Sequence, residues 1–127
     1  MKTVSSCHVD QRNAPRFYEA VPFKMFVLQG GGNRSPHKFS DEVTFDISEG
    51  GLRFYDKVEI PDDALLELHM HIPSQGEFIR QQARVRWKAP ATDQPGYDIG
   101  VQFVESTDQD RRAWLQYIHQ HRSVSAA

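Results

Sequence analysis

Two short motifs in this chain carry residue types that suit one ligand chemistry. Arg12-Asn13-Ala14-Pro15-Arg16 places two guanidiniums in a polar N-terminal arm, and Asp46-Ile47-Ser48-Glu49-Gly50-Gly51 places an acid and a hydroxyl ahead of paired glycines. A planar guanidinium donates two parallel hydrogen bonds, either to phosphate oxygens or to the O6/N7 edge of guanine, and it also stacks on a purine face. Lysine would supply only a point charge. A carboxylate accepts from guanine N1 and N2, an arrangement that adenine does not present. Ser48 adds a short, rotatable partner for base or phosphate, and Gly51 lets the main chain come close with no side chain in the way. Together the motifs fit a guanine nucleotide. The plainer alternative is that the arginines are solvated charges and that Asp-x-Ser before Gly-Gly is a turn device.

Other chemistries find weaker support. His69 and His71 share a strand face with Glu67, but three residues of one strand rarely surround an ion, and surface histidines are the simpler account. His119 and His121 stand two apart on a helix and point different ways. The three glycines from Gly30 to Gly32 are followed by neither the Gly-Lys-Ser/Thr of a phosphate loop nor a helix, so they mark a hairpin connection. Cys7 is the single cysteine, which excludes an internal disulfide and a cysteine-cluster zinc site. No nucleophile–base constellation can be assembled, and the reading is a non-enzyme with no cofactor and no metal site.

A chain of 127 residues is expected to form one domain, with hydrophobic content of 39% and eight Phe to fill its core. The formal net charge of −2 gives no global attraction to nucleic acid or anionic lipid, so any anion site must be a local gathering of arginines. The outward stripe Arg80, Arg84, Arg86 and Lys88 could attract an oligonucleotide, but overall acidity and the lack of outward aromatics between these cations favour a solvated strand face. The N-terminus lacks the apolar run of a signal peptide, and no stretch approaches the ~20 apolar residues of a membrane span. A cytoplasmic protein with no membrane insertion is expected.

The motifs need elements to hold them, and strand alternation supplies these. Residues 1–11 read as a mobile arm. Val21, Phe23, Met25 and Val27 alternate with polar or bulky neighbours, and Pro22 puts that strand at an edge or bulge. In the next strand Phe39, Val43, Phe45 and Ile47 fall on an apolar face, and Ser40, Glu42, Thr44, Asp46 and Ser48 on a polar one. Gly50-Gly51 then suits a positive-φ turn, a bulge or a close backbone approach. Leu66, Leu68, Met70 and Ile72 point inward from one strand. Ile79, Ala83, Val85 and Trp87 do so from its partner, and Tyr97, Ile99, Val101 and Phe103 from the last. Thr107 with Asp110 caps an amphipathic helix that places Trp114, Leu115 and Ile118 on one face and runs to about His121. The fold class is all-β with one helix: a small six-stranded antiparallel β-barrel and a C-terminal α-helix, spanning 12–122, with 123–127 as a disordered tail.

The chain resembles the PilZ domain family, bacterial receptors for cyclic di-GMP. The family's Arg-x-x-x-Arg and Asp/Asn-x-Ser-x-x-Gly signatures stand here as Arg12 to Arg16 and Asp46 to Gly51. Its closing pattern is similar to Ala83-Arg84-Val85-Arg86-Trp87 and Tyr97-Asp98-Ile99-Gly100-Val101-Gln102-Phe103, so the likeness covers nearly the whole chain. It implies binding of cyclic di-GMP through Arg12, Arg16, Asp46, Ser48 and Gly51, with the signal passed to a partner protein. Motility, biofilm formation and other surface behaviours are outputs of the family. Gln11 stands where many members carry another Arg, which bears on whether one ligand or a stacked pair is held. We expect Arg12 and Arg16 on an arm that is loose until ligand folds it against the barrel. The alternative is a PilZ-like interaction module that does not bind nucleotide, and a further one is an oligonucleotide-binding barrel.

Overall fold

The structure, a computed structural model, describes residues 16–30, 39–72 and 77–126. Among the described residues there are seven strands: β1 (Phe17–Tyr18), β2 (Pro22–Gln29), β3 (Phe39–Ser48), β4 (Gly51–Asp56), β5 (Leu65–Ile72), β6 (Glu77–Pro90) and β7 (Tyr97–Glu105). A helix, α1 (Asp108–Ala126), follows them. Every pairing is antiparallel, in the order β3-β2-β5-β6-β7-β4, and β4 pairs back onto β3 to close a six-stranded barrel. Closure removes the free edges that an open sheet would expose. The two-residue β1 lies on β3 beyond the end of β2, with Phe17 opposite Ile47 and Tyr18 opposite Asp46. Pro22, which has no N–H to donate, stands at the first residue of β2, where a strand tolerates it.

Most of the expected inward residues fill the barrel. Val21, Phe23, Met25 and Val27 are buried, as are Leu66, Leu68, Met70 and Ile72, Ile79, Ala83 and Val85, and Ile99 and Val101, while Tyr97 and Phe103 pack half-buried against them. Phe23 and Phe54 meet edge to face at the centre, 5.3 Å apart. Helix α1 begins as its sequence indicated: Thr107 Oγ1 accepts from the Asp110 amide at 3.0 Å and donates to Asp110 Oδ2 at 2.9 Å. Trp114 and Ile118 are buried against the barrel, joined by Tyr117, which the helical spacing had not singled out. The helix runs on to Ala126, past the expected stop near His121 and through most of the segment read as a tail, because no glycine or proline interrupts it. Among the described residues no helix is long and apolar enough to cross a membrane.

Two strands differ from simple alternation, and a bulge explains each. In β3 the first half is inverted. Glu42 lies opposite Phe23 and Thr44 opposite Phe54, so the polar set faces inward while Phe39, Val43 and Phe45 are exposed. The register then skips a residue between Thr44 and Asp46, leaving Phe45 as the extra one. Beyond the bulge Ile47 enters the core opposite Leu52, and Asp46 and Ser48 face outward. Thr44 tolerates burial because its hydroxyl accepts from the Val21 amide at 2.8 Å and donates to the Glu19 carbonyl. In β6 the register skips Arg86, which turns Trp87 out of its expected inward position and lays it over Gly100 on the barrel's outer wall.

The Gly50-Gly51 pair serves closure rather than a special backbone angle. Positive φ among the described residues falls at Gly30, Asp63 and Gly96 and at neither of these. A Cβ on Gly51 would lie 2.2 Å from the Val101 carbonyl oxygen, so the close approach of β7 requires glycine there. Gly50 has nothing within 4 Å of such a Cβ. Gly51→Ala is therefore expected to lose about 1–3 kcal/mol, while Gly50→Ala is neutral or gains up to ~1 kcal/mol; thermal unfolding of the two variants checks the contrast. Urea unfolding tests the inverted face of β3. Thr44→Val should cost about 1–3 kcal/mol and Val43→Thr no more than ~0.5 kcal/mol; the opposite order would contradict the register.

Candidate functional site

The bulge in β3 delivers Asp46 to the outer wall, and two arginines meet it there. Arg16 Nη1 is 3.0 Å from Oδ1, and Arg53 Nη2 is 2.8 Å from Oδ2. Arg16 donates a charge-assisted hydrogen bond to Oδ1, and Arg53 holds Oδ2 as an ion pair. Asp46 is 6% exposed although it faces outward, because the arginines and their neighbours cover it. Arg16 comes from the residue just before β1, and Arg53 from the position on β4 directly opposite Asp46. Their side chains are 35% and 28% exposed, so solvent screens both pairs in part. Arg53 is the more firmly placed, since its guanidinium carbon lies 4.3 Å from the centre of the Phe45 ring, although its buried Nε has no hydrogen-bond partner among the described residues.

Arg16, Asp46, Ser48 and Gly51 therefore gather on one stretch of the β3–β4 hairpin and the chain leading into β1. Arg12 lies outside the described residues. Arg16 is ion-paired to the barrel wall, not held away from it as a loose arm would leave it. Ser48 Oγ donates to the Gly51 carbonyl at 3.3 Å across the turn, and the Ser48 carbonyl accepts from Trp114 Nε1 at 3.0 Å. The hairpin is thereby fastened to α1. The chain after Arg16 is fastened to the same helix, since Glu19 Oε2 accepts from the Tyr117 hydroxyl at 3.1 Å and lies 3.5 Å from His121 Nδ1. Burial, with the Glu19 carboxylate facing the phenol, raises the Tyr117 pKa above the ordinary tyrosine range. A cleft of about 560 Å³ opens between the start of α1 and the β6–β7 wall, and Arg16 and Ser48 line one end of it. Asp46 and Arg53 are not part of its lining.

Arg53 is the residue that motif reading missed. Its signal was available in the hairpin: once Ser48 stands opposite Gly51, counting back along both strands sets Arg53 against Asp46. The basic stripe of β6 is largely committed elsewhere. Arg84 donates to the Asp63 carbonyl at 3.0 Å, Arg86 pairs with Asp63 at 3.3 Å, and Lys88 pairs with Glu59 at 2.7 Å. The acidic 59–63 loop thus neutralises much of the stripe, although Phe78 and Trp87 do stand outward on the same strand. His69 is 2.7 Å from Glu67, and His71 packs against Phe78. Among the described residues no three His, Cys, Asp or Glu side chains gather to hold a metal ion.

The same barrel recurs in solved proteins. The chain is similar to the structure of Bacillus subtilis inhibitor of motility (MotI/DgrA), with 17% identity and a TM-score of 0.69, over 88% of this chain and 51% of that one. It is also similar to the K. pneumonia MrkH–c-di-GMP complex, with 20% identity and a TM-score of 0.65, over 91% of this chain and 53% of that one. A third likeness is to the PilZ domain with c-di-GMP of YcgR from Escherichia coli, with 12% identity and a TM-score of 0.61, over 90% of this chain and 94% of that one. The chain thus spans about half the length of MotI/DgrA and MrkH, and nearly all of the YcgR domain. At these identities the likeness shows the fold alone. No curated protein sequence matches the chain. The family model for the PilZ domain matches residues 10–120. With a match from the arginine arm to the closing helix, the chain belongs to the PilZ domain family.

Proposed function

We propose that this chain is a receptor for cyclic di-GMP, which it binds through Arg12, Arg16, Asp46, Ser48 and Gly51 and reports to a partner protein. The observation that carries the reading is the buried-edge carboxylate of Asp46 on the outer barrel wall, held between Arg16 and Arg53. An acid flanked by two forked donors matches a guanine's N1/N2 edge beside its phosphates. Both carboxylate oxygens are occupied, so a base can use them only if an arginine yields. Arg16 is the one able to do so, since it lies outside the barrel strands and has no ring beneath it among the described residues, whereas Arg53 rests on Phe45. In this exchange Arg16 and Arg12 turn to the phosphates and the O6/N7 edge, and Arg53 remains to balance the acid. Gly51 then acts by keeping the hairpin tight against β7.

The protein acts in the cytoplasm as a binding module rather than an enzyme. Two similar proteins, the Bacillus subtilis inhibitor of motility and MrkH, a c-di-GMP dependence transcription regulatory factor, support an output through a protein or gene-control partner. The fastening of both the arm and the hairpin to α1 makes that helix the element that would feel occupancy. Calorimetric titration at near-physiological salt tests the reading. The wild type is expected to prefer cyclic di-GMP over GTP, cyclic di-AMP and single-stranded DNA. Arg16→Ala should weaken the affinity roughly ten- to a hundredfold. An interaction module that ignores nucleotide predicts a flat isotherm, and unchanged affinity in Arg16→Ala would defeat the assignment of that residue.

A further inference from the structure

We infer that Tyr18 and Phe45 form an aromatic subsite that stacks a guanine base whose Watson–Crick edge is taken by Asp46. This deepens the receptor reading and rests on it. Two independent features of the fold bring the rings there. The bulge in β3 leaves Phe45 without a partner on β4, with its ring outside beside Asp46 instead of in the core. The short β1 sets Tyr18 directly opposite Asp46, on the other side of β3 from Arg53. Tyr18, Asp46 and Arg53 thus form a row across three strands, and Phe45 fills the place next to it.

The rings are arranged as a site and not as a core remnant. Tyr18 is 75% exposed, the most exposed of the large apolar side chains among the described residues, and Phe45 is 53% exposed. They meet edge to face, with centroids 5.1 Å apart and planes at 75°, so they make a corner open to solvent. Arg53 lies over the Phe45 ring, which fixes that wall, and the same guanidinium holds Asp46. A planar base entering the corner meets an aromatic wall and a carboxylate acceptor together. Stacking alone tolerates any base; the adjoining acid selects one that presents N–H donors on its Watson–Crick edge, as guanine does. Two aromatics this exposed contribute little to the fold, and an apolar corner rimmed by charges is the form that ligand sites take.

The test is a calorimetric titration with cyclic di-GMP of the wild type, Tyr18→Leu, Phe45→Leu and the double variant, with Phe45→Tyr as the conservative control. Leucine keeps apolar bulk and removes the ring. The double variant is expected to bind roughly tenfold or more weakly while melting near the wild-type temperature, and Phe45→Tyr is expected to retain the affinity. Proton NMR of the bound nucleotide reads the stacking directly: the guanine H8 signal moves upfield on the wild type, and that ring-current shift shrinks on the leucine variants. Should the double variant not fold, Tyr18→Leu decides alone, since so exposed a ring is not needed for the barrel. Leucine variants that match the wild type in affinity and H8 shift overturn the subsite and leave the receptor reading intact. A wild type that does not bind overturns the receptor reading, and the subsite with it.

Discussion

A single carboxylate sets the terms for this structure. Asp46 is nearly out of solvent, and a buried acid that loses its partners is strongly disfavoured, by about 3–5 kcal/mol when a buried pair is broken. Partial exposure of both arginines lowers that figure here, yet the sign stands. Two guanidiniums answer one acid, so the cluster carries one positive charge in surplus. That surplus is what a doubly phosphorylated ligand would recognise in a chain whose overall charge is negative. Redundancy also matters: in the proposed exchange, Arg53 on Phe45 would keep the acid paired once Arg16 leaves it.

The barrel exists, for this purpose, to hold that acid still. Closure through the β3–β4 pairing ties the hairpin into a ring of strands, and β7 approaches Gly51 too closely for any side chain. Trp114 then grips the Ser48 carbonyl from the helix, and Glu19 joins Tyr117 and His121 to the chain that carries Arg16. The two halves of the site come from opposite sides of β3 but are anchored to one helix. Under the proposed receptor reading, a change in either half would reach α1 through these contacts.

How much of this was legible in the sequence depended on where alternation held. β2 and β5 repeat strictly every two residues, and their buried faces could be read directly. β3 could not be, because a bulge adds a residue that composition does not reveal. Val43 and Phe45 read as core yet stand outside, while Thr44 is buried by virtue of two backbone partners that only the fold supplies. Trp87 followed the same course in β6, and the room left by Gly100 receives it. Arg16 and Asp46 were legible as motif residues, but their ion pair was not, because the arm was expected to lie loose without ligand. Arg53 was hidden because it belongs to no signature; only the hairpin register sets it against the acid. Tyr18 was hidden for a related reason, since a two-residue strand leaves no periodic trace.

The most direct trial of the central claim is a crystal structure of this chain with cyclic di-GMP. The account predicts a guanine N1/N2 edge within hydrogen-bonding distance of Asp46, about 2.7–3.2 Å, with Arg16 turned to the nucleotide and Arg53 still on the acid. A nucleotide bound elsewhere, with the Arg16–Asp46–Arg53 bridge unchanged, would contradict it.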